Sequence, residues 1–203
     1  MQSLDFSFEQ AYWNQDKNLV VGIDEVGRGP LAGPVVIGAV IISPQNMIIP
    51  GVRDSKKISK KKHPEIAQLI KDNCYKCAIG VGSVEQINSF GIVGAIRLAI
   101  HQALEELTEF DQVLMDGLPF KEPLNISQEI EFITKGDAKV YSIAAASIIA
   151  KDYRDNLMKK IGEEFPAYCW ETNSGYGTKV HTDAILEHGP TLHHRDLFIR
   201  KLI

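Results

Sequence analysis

Leu19-Val20-Val21-Gly22-Ile23-Asp24-Glu25-Val26-Gly27-Arg28-Gly29-Pro30 runs from an apolar stretch straight into two acids and a glycine-rich break. Leu19 to Ile23 reads as a short buried strand, and Gly27-Arg28-Gly29-Pro30 as the breaker cluster after it. Val35 to Ile42 reads as a second strand that closes a hairpin-like pair with the first. Further on, Ser59 is placed to cap a helix through about residue 72, and Lys76 to Val81 is strand-like. Apolar residues at 92, 93, 96, 100, 104 and 107 make a helical stripe over Gly91 to Leu107. Gln112 to Met115 predicts a strand ending at Asp116-Gly117, and Ile130 to Ile133 another ending at Lys135-Gly136-Asp137. Ser142 is expected to cap a long helix through about Lys160. Phe165 to Ile203 reads as loops and two helices, near 178–188 and 194–202.

Strands come early, with helices between and after them, so the expectation is an α/β fold with a central mixed sheet flanked by helices and a small helical C-terminal portion. Residues 1–17 read as a poorly fixed lead-in, and residues 18–203 as a single domain that includes the helical segment from about 165. The sequence shows no internal repeat, low-complexity stretch or Gly/Ser linker.

The 203 residues are 44% hydrophobic and 24% charged, close to the globular average, which excludes a disordered chain and a coiled coil. Apolar runs such as Ala39 to Ile42 are far too short to cross a bilayer, so no membrane is expected. The opening MQSLDFSFEQ has acids and no basic cluster, unlike a secretory signal. Three cysteines, an odd number, point to a reducing compartment, and a cytoplasmic protein is expected. Cys74 and Cys77 form a lone C-x-x-C with no second pair, which argues against zinc. A net charge of −4 argues mildly against nucleic acid as partner. Against that, Arg53, Lys56, Lys57, Lys60, Lys61 and Lys62 crowd one short segment that holds a single acid, Asp54. Such a run fits a solvated face as well as it fits a phosphate patch.

Acids stand at the ends of three expected strands: Asp24-Glu25, Asp116 and Asp137. Aspartate is a poor strand former, and clustered carboxylates raise one another's pKa unless a cation intervenes. Hard oxygen donors with no His or Cys among them favour Mg²⁺ or Mn²⁺. Such a set can hold two ions roughly 4 Å apart, the arrangement used for in-line displacement at phosphorus. Consecutive strand residues point to opposite faces, so Asp24 and Glu25 share a site only if the strand ends there. Taken singly, each acid is equally an ordinary turn residue. Gly80-x-Gly82 lacks a third glycine and a helix-opening context, and no Gly-x-Ser-x-Gly elbow occurs. His181, His188, His193 and His194 lie in a polar tail and are expected at the surface or at helix ends.

At this point a resemblance enters. Gly22-Ile23-Asp24-Glu25-Val26-Gly27-Arg28-Gly29-Pro30-Leu31-Ala32-Gly33-Pro34-Val35 resembles the opening motif of ribonuclease HII. Asp54-Ser55-Lys56-Lys57 is similar to the family's DSKK, and Leu114-Met115-Asp116-Gly117 to its third acidic segment. Lys135-Gly136-Asp137 with Ser142-Ile143-Ala144-Ala145-Ala146-Ser147-Ile148-Ile149-Ala150-Lys151 resembles a further block. Gly175-Tyr176-Gly177-Thr178, His181, His188-Gly189-Pro190 and His194-Arg195 resemble the C-terminal segment. These blocks span nearly the whole chain.

The resemblance implies an RNase H-like fold and a metal-dependent endoribonuclease that cuts 5′ of a ribonucleotide in RNA–DNA hybrids and in duplex DNA with embedded ribonucleotides. The ends left would be a 3′-hydroxyl and a 5′-phosphate. It implies Asp24, Glu25, Asp116 and Asp137 as catalytic metal ligands for two Mg²⁺ or Mn²⁺ ions in the reacting complex. Gly27-Arg28-Gly29 would read the 2′-hydroxyl through close backbone, Tyr176 would pack on the neighbouring sugar, and Lys56 and Lys57 would hold phosphates. A monomer is expected. One departure stands out: Gly91 sits where the family commonly has asparagine, so one side-chain amide of the substrate grip is missing.

Overall fold

The computed structural model describes residues 4–53, 58–59 and 62–203. At its centre β1 (Val20–Val26) pairs antiparallel with β2 (Val35–Ile42), Val20 opposite Ile42 and Val26 opposite Val36. β3 (Lys76–Gly82) extends β2 antiparallel, while β4 (Gln112–Asp116) lies parallel on the other side of β1 and β5 (Ile130–Ile133) parallel beyond it. The order β3-β2-β1-β4-β5 is a mixed sheet, as expected.

β2 is buried along its whole length because both faces of the sheet are covered. Its alternation sorts the core: Ile37, Ala39 and Ile41 join one cluster, Val40 and Ile42 the other. The first face carries α3 (Val84–Leu107) through Ala95, Ile96, Ala99, Ile100 and Ala103. The second carries α4 (Tyr141–Glu164) through Ala144, Ala145 and Ile148, with α2 (His63–Asn73) beside it. Each fully buried Ile or Val contributes roughly 1.5–3 kcal/mol relative to exposure. α4 comes close enough to β1 that a Cβ at Gly22 would stand 2.1 Å from the Ser142 carbonyl carbon. After α4 come α5 (Trp170–Asn173), α6 (Lys179–His188) and α7 (Asp196–Ile199), gathered around Trp170, Ile185 and Ile199.

Several boundaries differ from the sequence reading. Residues Ser7–Trp13 form a helix, α1, and Glu9 in it is fully buried. Its Oε1 accepts the Ser142 amide at 2.7 Å, so a carboxylate 133 positions away satisfies the first turn of α4. Ser142 therefore lies inside the helix rather than at its cap, which is Val140. α2 begins at His63, and Ser59 serves it through its carbonyl, which accepts the His63 amide at 3.3 Å. α3 starts seven residues before Gly91: the Ser83 hydroxyl accepts from Gln86 and the Gln86 side chain from the Ser83 amide, a capping box. Its backbone breaks at Gly91, where φ is 73°. By length and apolar content alone α3 would cross a bilayer; here its apolar face packs on β2 and β3.

Candidate active site

β1 and β4 run parallel with Ile23 opposite Met115, so Asp24 and Asp116 occupy the next rung on adjacent strands. Asp116 pairs with Ile133 of β5, after which Lys135 takes a left-handed conformation and starts a 3-10 turn, Gly136–Ala138. That turn carries Asp137 back to the same edge, and the Gly136 amide donates to Asp116 Oδ1 at 2.6 Å. Asp24 and Asp137 are buried, Asp116 half-buried. Burial pushes the Asp24 carboxyl up to about 7; the Ser147 hydroxyl, reaching it from α4, pulls the other way, and the charges of Asp116 and Asp137 add to the rise. Three of the four acids therefore share one electrostatic site.

Glu25 stands differently. β1 continues through Val26, so the strand does not stop between the two acids, and Glu25 Oε1 instead accepts from Arg28 Nη1 at 3.0 Å. Among the described residues no three His, Cys, Asp or Glu side chains converge closely enough to ligate one ion as they stand. The donors nonetheless suit a hard divalent cation: all are carboxylate oxygens, and the desolvated Asp24 would be relieved by positive charge.

The glycine-rich break after β1 is held from beneath by two buried arginines. Arg195 donates through Nε to the Gly33 carbonyl at 2.8 Å, through Nη1 to Arg28 at 2.9 Å and through Nη2 to Gly27 at 2.6 Å. Arg154 of α4 donates to the carbonyls of Pro34 (2.9 Å), Ser174 (2.9 Å) and Ala32 (3.2 Å). Gly27, at φ +94°, has no room for a Cβ, which would meet Arg154 Nε at 2.1 Å. Arg28 and Gly29 are exposed above. The sequence gives no local signal for either arginine, Arg195 standing only within the His194-Arg195 motif.

Tyr176 is brought to this loop by its neighbours. The Gly175 carbonyl accepts from the Leu31 and Ala32 amides at 2.8 and 3.3 Å, and the Tyr176 ring is 48% exposed, free to meet a ligand. The Tyr176 carbonyl is gripped from behind by His181 Nδ1 at 2.9 Å. Because a carbonyl only accepts, that nitrogen carries the hydrogen, leaving Nε2 to accept Trp170 Nε1–H at 3.0 Å. His194 Nδ1 accepts the Thr191 amide at 2.9 Å, so its own hydrogen lies on Nε2, directed at His181 Nε2. His181 and His194 are thus core residues at 0% and 1% exposure, not surface ones; of the two expected placements, His181 meets the other, a helix end, in the first turn of α6. Burial lowers both pKa values, that of His194 to about 4 with the neighbouring His181 adding to the fall. Lys56 and Lys57 lie outside the described residues.

The family model described as Ribonuclease HII matches residues 21–201. Ribonuclease HII of Wolbachia sp. subsp. Brugia malayi is 44% identical over 195 residues, covering 96% of this chain and 92% of that protein. Among solved structures, the PCNA:RNase HII complex from Archaeoglobus fulgidus superposes with a TM-score of 0.70 at 25% identity, covering 87% of this chain and 93% of that one. Bst-RNase HIII in complex with Mn²⁺ gives a TM-score of 0.66 at 21% identity, covering 88% and 65% respectively, a likeness of fold.

Proposed function

The chain belongs to the ribonuclease HII family and is a metal-dependent endonuclease of the RNase H type; from that premise we propose that it hydrolyses the phosphodiester 5′ of a ribonucleotide, in RNA–DNA hybrids and in duplex DNA with embedded ribonucleotides, leaving 3′-hydroxyl and 5′-phosphate ends. One observation carries the reading. The buried Asp24, with Asp116 and Asp137 as electrostatic neighbours, lies two residues before the end of the strand that feeds directly into the Gly27-Arg28-Gly29 loop, and Gly175-Tyr176 is bonded to that same loop. A cluster of acids beside a glycine-rich loop whose Arg28 and Gly29 are exposed supports cleavage next to a sugar that the loop backbone reads.

Asp24, Glu25, Asp116 and Asp137 would hold the divalent cations, Mg²⁺ or Mn²⁺, two in the reacting complex. When bound, such ions lower the pKa of water and neutralise charge gathering on a departing oxygen. The Mn²⁺ held by the structurally similar HIII enzyme supports a divalent requirement. For Glu25 to join, its carboxylate exchanges the Arg28 guanidinium for a cation, which frees Arg28 to face a phosphate. Within Gly27-Arg28-Gly29, the exposed backbone of Arg28 and Gly29 meets the 2′-hydroxyl, the group that separates RNA from DNA. The Tyr176 ring packs on the adjacent sugar and orients the junction, while Lys56 and Lys57 hold phosphates without reading sequence. The protein would act as a monomer.

The test uses three duplexes: DNA with one ribonucleotide, a continuous RNA–DNA hybrid and all-DNA, each with Mg²⁺, Mn²⁺ or chelator. Cleavage of the first two, 5′ of ribose and only with metal, is expected. Binding without cleavage in either metal would make the chain a hybrid-binding module, and equal cleavage of all-DNA would make it a DNA nuclease; either outcome overturns the reading.

A further inference from the structure

The two guanidiniums beneath the loop are unusual in their partners. Arg154 and Arg195 are 1% and 0% exposed, yet among the described residues neither has a carboxylate within ion-pair distance. All six of their hydrogen bonds end on backbone carbonyls, five of them between Gly27 and Pro34. Burying a cation is costly, and doing so twice without a directly paired carboxylate, the Asp155 charge acting on Arg154 only from beyond ion-pair distance, needs a return beyond joining the C-terminal segment to the sheet.

The return lies in the direction of the peptide planes. In a trans peptide the carbonyl and the following amide point opposite ways, and no cis bond occurs among the described residues. The Gly27 carbonyl is turned inward onto Arg195 Nη2, so the Arg28 amide faces out; the Arg28 carbonyl is turned onto Nη1, so the Gly29 amide faces out. Among the described residues neither amide donates to a protein acceptor, and both residues are exposed. One planar fork therefore fixes two adjacent outward donors beside the acids. A lysine in its place would bring its three rotatable donors to a single nitrogen and lose the rigid planar fork that fixes both peptide planes at once. Arg154 sets the loop's far limb at Ala32 and Pro34 and ties it, through Ser174, to the segment carrying Tyr176.

Resting on the functional reading above, we propose that Arg195, backed by Arg154, is a positioning residue for ribonucleotide selection: it holds the Arg28 and Gly29 amides in the orientation that meets the ribose hydroxyl at the cut. It touches no substrate itself. If its fork is lost, phosphate contacts elsewhere persist and KM changes little. Alignment at the junction degrades, and the loss falls on kcat. A continuous hybrid offers a 2′-hydroxyl in every register, so a slackened loop still finds one; a single embedded ribonucleotide offers one only.

The experiment measures kcat and KM for wild type, Arg195→Lys and Phe198→Leu on the single-ribonucleotide duplex and the continuous hybrid, well below each melting temperature. Arg195→Lys keeps the charge and removes the fork. It should lower kcat on the single ribonucleotide about 100-fold and on the hybrid about tenfold or less, with KM within about twofold. Phe198, whose ring centroid lies 5.2 Å from the guanidinium carbon, is the milder perturbation should the lysine variant not fold. Its loss should shift the same ratio about threefold. A merely structural role predicts a lowered melting temperature with equal proportional losses on both substrates. An unchanged ratio in a folded Arg195→Lys, or in Phe198→Leu where the lysine variant does not fold, overturns the inference. An inactive wild type overturns the functional reading itself.

Discussion

His181 and His194 face each other through their Nε2 atoms at 3.1 Å, one ring donating and the other accepting, with Trp170 donating into the same acceptor. Neither ring has room for a second proton without two donors colliding, so the fold favours both as neutral. For His194, whose pKa falls from 6.5 to about 4, the sign follows directly. The stabilisation is fully present above 6.5 and is lost as pH falls through about 4. Melting temperature should decline across that window in the wild type. His194→Gln, which keeps a side-chain donor but cannot titrate, should flatten the decline. Thermal melts from pH 7.5 to 4 decide; an equally steep decline in His194→Gln would mean other groups are responsible.

Asp24→Asn and Asp137→Asn keep side-chain size and remove charge. Cleavage should fall by several orders of magnitude, while binding to a non-cleaved hybrid is largely retained. Without metal, Asp24→Asn should melt higher than wild type, because it removes a desolvated carboxylate that Asp116 and Asp137 repel. Near-normal rates in Mg²⁺ would dismiss the metal-ligand assignment, and a sharply lowered melting temperature would assign Asp24 a structural role.

Tyr176→Ala removes a half-exposed ring and should cost roughly 100-fold in cleavage at a single ribonucleotide through misalignment. Tyr176→Phe keeps the ring and should retain much more. The backbone grip by His181 survives both changes, because it uses the carbonyl. Equal losses on single-ribonucleotide and continuous substrates would remove the ring from recognition.

Neutralising Lys56 and Lys57 together should weaken binding to every duplex alike. If each holds one phosphate, the slope of log K against log salt becomes shallower by about 2. Titrations at four or five salt concentrations measure it, and an unaltered slope would make this pair part of a solvated face.

The parts of this molecule written locally were readable in advance. β1 and β2 announce themselves as apolar runs around a Gly-Arg-Gly-Pro break, and the acids stand at or near the C-terminal ends of short strands, Asp116 closing β4, Asp24 two residues inside β1 and Asp137 in the turn after β5. What stayed hidden is held by partners remote in sequence. Glu9 looks like an ordinary acid in a frayed start until Ser142 is seen beside it. His181 and His194 sit in a polar stretch, and only the packing of Trp170 and Tyr168 around them makes them interior. Arg154 and Arg195 carry no local signal of their role, because nothing nearby in sequence says that five of their six acceptors are carbonyls of residues 27–34. The earlier start of α3 was legible, since Ser83 and Gln86 have capping-box spacing; the apolar stripe drew the boundary too late. The role of Glu25 turned on whether β1 stops after Asp24, which residue types alone do not decide.

The loop that follows β1 is synthesised early, yet the guanidinium that orients it comes 167 and 168 residues after the carbonyls it binds. Closing so long a span is entropically expensive and slow, whereas the β1–β2 hairpin needs only its own turn. A ribosome making this chain therefore exposes the sheet and all four of its site acids well before the guanidinium that binds the loop carbonyls exists. In refolding the order is the same: far-UV dichroism should recover ahead of selective cleavage. The immature nuclease is left unable to choose a target until its architecture is closed.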